Sequence, residues 1–228
     1  MSTTRSLAVA LFWCLLSAPL MYGQDLSRYR EFQFGMNLDA LAKQTNVKPS
    51  EVKLLHQRPA MIQELWWQRS FGRPMHETDP VRDVVFSFYN GELFRMVVNY
   101  DRYKTEGLTD EDMIEAISAK YGVATRPTAE IVSFSSSQVY NDSEKVLARW
   151  EDAQYSFNLF RFRYRPTFGM VLFSKRLDAL ARAAVADAIR LDAQEAPQRE
   201  IEAQKQRDEE NRISQERAKL VNKPAFRP

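Results

Sequence analysis

The chain has 228 residues and a formal net charge of +2, with 32 Lys and Arg set against 30 Asp and Glu. So even a balance gives no overall field of the strength that selects nucleic acid or an anionic surface. At 44% hydrophobic and 27% charged residues the composition is that of a core-forming globular protein, which excludes a collagen-like or wholly disordered chain.

Arg5 precedes an unbroken apolar run from Leu7 to Leu16, followed by Ser17-Ala18-Pro19 and Met21-Tyr22-Gly23-Gln24. An early positive charge, a short apolar stretch and small residues near a cut are the layout of a secretory signal peptide. The run is shorter than the ~20 residues that span a bilayer comfortably. The expectation is a signal peptide over 1–23 and an exported chain, periplasmic or secreted, beginning near Gln24. Retention of the leader as a single-helix anchor is the alternative, because Met21 fits the −3 position of a cleavage site poorly. Cys14 is the only cysteine, and Leu11-Phe12-Trp13 before it are too bulky for a lipobox, so lipidation is excluded. An exported chain without disulfides is held by core burial alone, which suits a bacterial envelope.

Phe32-Gln33-Phe34-Gly35 leads into Asn37, a good N-cap, and then into Leu38, Leu41 and Ala42 on one helical face. The stretch Leu38 to Leu55 is also similar to a helix-turn-helix, in which Ser50, Lys53 and His56 would face DNA. Export, the break at Pro59 and the scarcity of basic charge oppose that reading, so no nucleic acid is expected. Met61 to Trp67 reads as a strand, Val52 to His56 is left open, and Gly72 to Pro80 reads as a loop.

The strongest local signal is Val84 to Tyr89, Asn90-Gly91, then Glu92 to Tyr100. Two β-rich runs joined by Asn-Gly form a hairpin with a type I′ turn, which needs φ > 0 at both central residues. A regular register pairs Phe88 with Leu93, Phe86 with Arg95 and Val84 with Val97, leaving Phe94, Met96, Val98 and Tyr100 on the other face. Both faces are substantially apolar, so the hairpin is expected to be covered on both sides. A helix follows from Asp110 to Tyr121, capped by Thr109 and ended by Gly122, with Met113, Ile114, Ile117 and Tyr121 on its apolar stripe.

Ser133 to Ser137 and Asn141-Asp142-Ser143 read as loop. Three strands are expected next, over 146–150, 155–163 and 167–174, with Arg165-Pro166 as the last turn. In the second, Tyr155, Phe157 and Leu159 alternate with Ser156 and Asn158, a half-buried pattern. From Lys175 a helix places Leu177, Leu180, Ala181, Ala184, Val185, Ala188 and Ile189 on one stripe, and Pro197 interrupts it. The remaining tail is nearly all charge and amide, with Ile201, Ile213 and Leu220 as sparse apolar residues that sustain no heptad seam.

The fold class expected is α+β: a mainly antiparallel sheet with an Asn-Gly hairpin, packed by two or three helices. Residues 24–196 form this domain, as one unit or as two similar halves, 24–125 and 126–196. Residues 197–228 form a long charged C-terminal helix or disordered tail.

His56 and His76 stand apart with no cysteine or carboxylate cluster beside them, so no metal is expected. No nucleophile elbow, P-loop, dinucleotide fingerprint or zinc-protease motif occurs, and no catalytic residue or cofactor is assigned. One candidate binding surface stands out: Trp66 and Trp67 with Arg161, Arg163 and Tyr164 as an aromatic-basic patch. The plainer alternative is that one tryptophan packs inward while its strand neighbour faces outward.

Phe34-Gly35-Met36 and its helix resemble the opening of the small bacterial envelope proteins called BamE-like or SmpA/OmlA-like. Gly91-Glu92-Leu93-Phe94-Arg95, followed by a helix ending Lys120-Tyr121-Gly122, is similar to a strand-helix pattern of exported bacterial proteins. The resemblance implies an α+β envelope scaffold with no cofactor, and it transfers no site residues. The chain departs from it in lacking a lipobox and a second helix after the first, and in carrying the charged tail. The expected role is an exported, non-enzymatic envelope protein acting through contacts with another envelope protein. Membrane contact is expected only through the N-terminal segment where it is uncleaved. A periplasmic small-molecule or lipid carrier with a pocket between sheet and helices is the alternative, and an enzyme assembled from distant residues the third.

Overall fold

The computed structural model describes residues 25–68, 79–128, 130–131, 144–162, 167–225 and 227. The expected leader, most of the 72–80 loop, the 133–143 loop, the Arg165-Pro166 turn and His76 lie outside them.

The architecture is α+β. A short hairpin, β1 (Arg28–Tyr29) and β2 (Phe32–Gln33), leads to helix α1 (Leu38–Thr45). Four strands follow: β3 (Lys53–His56), β4 (Ile62–Gln68), β5 (Val81–Tyr89) and β6 (Glu92–Tyr100). Helix α2 (Asp110–Tyr121) then precedes β7 (Glu130–Ile131), β8 (Glu144–Glu151), β9 (Tyr155–Arg161) and β10 (Phe168–Ser174), and helix α3 (Lys175–Ala225) ends the chain. The main sheet has the order β3-β4-β5-β6-β10-β9-β8-β7, antiparallel at every step. It is thus two meanders, each preceded by a helix, joined where their last strands pair. Short connections between successive strands favour that arrangement.

Local chemistry places these elements. Asn37 caps α1 through its side-chain oxygen, which accepts from Ala40 N at 2.8 Å, and Asn46 closes it in the left-handed region. Thr109 and Asp112 form a reciprocal capping box at the start of α2, and the Gly122 N–H closes its end on the Ser118 carbonyl. The backbone N–H and hydroxyl of Thr109, donating to Asp112, hold its carboxyl below the usual carboxylate range. Asn90 and Gly91 adopt φ of 49° and 84°, as the hairpin turn requires. Gly91→Val puts a β-branched residue at positive φ. It should cost about 1–3 kcal/mol and lower the melting temperature by several degrees, as calorimetry would read.

The hairpin departs from the regular register. Phe88 faces Leu93 as expected, but Ser87 faces Arg95, Phe86 faces Met96 and Val84 faces Val98, so Phe94 is an extra residue in a bulge. The cause lies in what each face must hold. One step of register reverses every side chain beyond it. A regular ladder would have pointed Arg95 into the apolar side and Met96, Val98 and Tyr100 out of it. With the bulge, Met96, Val98 and Tyr100 join Phe86, Phe88 and Leu93 on a front face packed by β1–β2, α1 and α2. Phe94 and Arg95 together turn to the back face, where α3 lies.

The front layer is the larger core. Phe32 meets Phe86 edge-to-face at 4.7 Å, and Leu41, Ala42, Met113, Ile117 and Tyr121 complete it from the helices. On the back, Leu177 and Ala181 of α3 pack on Ile62 and Phe94, flanked by Leu55, Tyr89 and Val185.

The helix-turn-helix that the sequence opposed does not form, and three expectations change. The similarity of 38–55 to a helix-turn-helix ends at a single 3-10 turn (Pro49–Glu51), because Lys53–His56 pair as a strand with Ile62–Glu64. Ser156 and Asn158 are buried rather than half-exposed; Asn158 receives the Arg149 Nε–H at 2.7 Å and donates to the Ser156 hydroxyl at 3.1 Å, which satisfies it inside. Leu180 and Ile189 point to solvent, since the buried edge of α3 is Leu177, Asp178, Ala181, Ala184 and Ala188. The charged Asp178 holds a place that an apolar stripe would have denied it. Finally, α3 runs through Pro197 without a break. Proline removes one donor and crowds the carbonyl one turn back. Here the Arg199 guanidinium donates to the Asp192 carbonyl at 2.9 Å beside the opened turn, and the site faces water.

Gly169 on β10 owes its identity to close packing. A Cβ there would lie 2.4 Å from Phe160, whose buried ring covers it and meets Phe162 edge-to-face at 4.9 Å. Gly169→Ala should cost about 1–3 kcal/mol by overpacking. A second change, Phe160→Leu, should recover part of that in urea denaturation.

Candidate functional site

Trp66 and Trp67 are consecutive on β4 and take opposite faces. Trp67 packs with Phe32 at 5.8 Å in the front layer, while Trp66 stands 59% exposed on the back, opposite Val85. Arg161 ends β9, four strand spacings away with β5, β6 and β10 between, roughly 19 Å at the usual ~4.8 Å spacing. Its guanidinium lies 4.4 Å from the Phe168 ring and pairs with Asp110 of α2 at 2.7 Å. Trp66 and Arg161 therefore share no surface. Arg163 and Tyr164 lie outside the described residues.

Two polar clusters were not visible in the sequence. On the back face, Arg95 pairs with Asp178 at 3.1 Å, and Asp178 also accepts from Arg182 at 2.8 Å. Arg95, Asp178 and the nearby Glu64 are all buried. Burial pushes the Arg95 guanidinium below its ordinary pKa, while the Asp178 and Glu64 charges oppose that shift. The bulge that delivers Arg95 and the helix that delivers Asp178 are far apart in sequence, so only the fold brings them together. This cluster fixes α3 to the sheet.

On the front, Tyr29, Tyr100 and Tyr121 lie close together beside Arg30, which pairs with Asp79 through both nitrogens at 2.8 Å. The Tyr100 hydroxyl lies 3.0 Å from Met170 Sδ. Burial pushes all three phenols above their ordinary pKa, so they remain neutral. That chemistry suits donation of hydrogen bonds, not proton abstraction or nucleophilic attack. Among the described residues no group of three or more His, Cys, Asp or Glu is placed to hold a metal ion.

The third feature is α3 itself. Its 51 residues give a length of about 75 Å at ~1.5 Å per residue. Its first four turns pack on the sheet, Arg58 reaches Glu195 at 2.8 Å two turns further on, and from Ile189 onward nearly every side chain is exposed. The free part is laced by pairs such as Arg212 with Glu209 and Glu216, and Gln204 with Asp208. Spacings of three and four residues support a helix that has no packing partner. No helix among the described residues is long and apolar enough to cross a membrane. Comparison with protein-family models, with curated proteins and with solved structures finds no match for this chain.

Proposed function

We propose that the chain is an exported protein of a bacterial envelope that acts without catalysis, through contacts with another protein, and that α3 is its contact arm. The observation that carries this reading is the free length of α3. Residues beyond Ile189 add almost nothing to the core, yet side-chain pairs support their helix, and the Arg95–Asp178 cluster and the Arg58–Glu195 pair tie its base to the domain. A rigid projecting helix supports recognition by a partner rather than stability of its own domain. The sequence of residues 1–23 supports export. A carrier would place its ligand between the sheet and the front helices, and there Phe32, Phe86, Phe88 and Trp150, each 2% exposed or less, fill the space.

Three measurements test this. A reporter enzyme active only outside the cytoplasm, fused after Ala225, should be active with residues 1–23 and silent without them. Deleting 198–228 should leave the melting temperature within about 2 °C, because Ile201, Ile213 and Leu220 bury so little area at ~25 cal/mol per Å². Photo-crosslinkers in the arm should trap partners that crosslinkers on the exposed front of α2 do not. Loss of stability on deletion, with no arm-specific crosslinks, would overturn the reading.

A further inference from the structure

The near-neutral total conceals a segregation of charge along the arm. Between 191 and 210, seven Asp and Glu stand against three Lys and Arg; between 211 and 225, Glu216 stands alone against Arg212, Arg217, Lys219 and Lys223. The arm is acidic near the domain and basic at its far end. Complementing the helix dipole explains cations in the last turn only, since that effect fades within a turn. Arg217 and Lys219 lie further in. Arg212 is engaged by Glu209 and Glu216 at 2.7 and 2.8 Å, whereas Arg217, Lys219 and Lys223 pair with no acid among the described residues.

Continuous helix through this end also sorts the apolar residues. At about 100° per residue, Ile213, Leu220, Val221 and Pro224 fall within a stripe about 100° wide. Arg217 lies within the stripe and Lys223 with Glu216 lies to one side of it, while Lys219 and Arg212 fall on the opposite face with Asn211, Gln215 and Asn222. Leu220 and Val221 are 76% and 70% exposed, and Leu220 lines an open shallow groove with Glu216, Lys219, Lys223 and Pro224. Aliphatic side chains on a convex helix, with the long cationic stem of Arg217 among them, that of Lys223 at their side and an excess of cations over acids around the tip, fit a soft anionic interface.

We infer that the distal end of α3, residues 211–225, binds the surface of a membrane containing anionic phospholipid, with Leu220 and Val221 entering the headgroup layer. The acidic stretch 191–210 is repelled by the same surface, so only the tip lies on it and the domain stands away. Cations near an anionic leaflet each add to binding, and the attraction falls off within a Debye length. The inference rests on α3 being the contact element, and it requires neither export nor a protein partner.

The test uses the full chain, in which the apolar run at 7–16 is the same in every variant. Sedimentation with vesicles of phosphatidylcholine containing about a third phosphatidylglycerol should give partitioning about tenfold or more above phosphatidylcholine alone. Arg217→Gln, Lys219→Gln and Lys223→Gln together should remove most of that difference, with the circular dichroism unchanged. A nitroxide at position 220, attached to Leu220→Cys in a Cys14→Ser chain, should move from water-accessible to oxygen-accessible on binding. Equal partitioning of parent and triple variant overturns the inference, as does a nitroxide that stays in water while protein is vesicle-bound. Tight binding of polyglutamate with no vesicle response also overturns it, in favour of an acidic protein surface. Those failures would leave the crosslinking test of the arm untouched.

Discussion

Replacing Trp150 with Ala should destabilise the protein by about 3–5 kcal/mol, among the largest effects of any single change in the chain. Trp150 is 1% exposed on β8, facing the front layer opposite Phe157, and its removal opens a cavity under α2. Its indole N–H donates to the Gly122 carbonyl at 2.9 Å and lies 3.2 Å from the Ser118 hydroxyl, tying the C-terminal end of α2 to the sheet. The carbonyls at a helix end have no partner within the helix. Trp150→Phe keeps most of the volume and leaves that carbonyl without its indole donor, so it should cost less, about 1–2 kcal/mol. The ordering Ala worse than Phe worse than Trp, read as urea midpoints at constant slope, separates packing from the hydrogen bond. A loss below about 1 kcal/mol for Trp150→Ala would mean that α2 is not seated on β8.

How much of this was legible depends on which interactions are local. Thr109 with Asp112, Asn37 with Ala40, and Asn90-Gly91 each decide a few neighbouring residues, and each was readable as a cap or turn. The β1–β2 hairpin was not, because its turn places Arg30 rather than glycine in the left-handed region, at φ 56°. The bulge at Phe94 is invisible in sequence for a different reason. Both faces of the hairpin read as apolar, and the partner that holds Arg95 on the back, Asp178 of α3, lies some eighty residues later. The outward turn of Trp66 against the inward turn of Trp67 follows from strand alternation alone. Its separation from Arg161 follows from the sheet order, which pairing of the two meanders through β6 and β10 sets. The tip of α3 escaped notice because three sparse aliphatic residues make no heptad seam. The face that Ile213, Leu220 and Val221 share with Arg217, with Lys223 beside it, emerges once the helix is known to run on past Pro197.

The Arg95–Asp178 pair carries the second large effect. Asp178→Ala should cost roughly 3 kcal/mol, near the lower end of the range for breaking a buried pair, because Glu64 still opposes the stranded Arg95 charge. For a chain of this size that is a fall of about 6–12 °C in melting temperature. Removing both charges is a different matter. A buried pair recovers in Coulomb attraction little more than it loses in desolvation, so Arg95→Met with Asp178→Leu should recover much of that loss, short of the cost of the buried Glu64 left without the Arg95 charge. The two experiments together separate stability from direction. With the pair gone, α3 rests on Leu177 and Ala181 against Ile62 and Phe94 and on the exposed Arg58–Glu195 pair, contacts that constrain the rotation of the helix less. Spin-label distances from the sheet to the arm should then broaden in the double variant while its melting temperature stays high. A double variant with both parental stability and a parental distance distribution would show that aliphatic packing and the Arg58–Glu195 pair aim the arm, and the buried charges would then have no role in its direction.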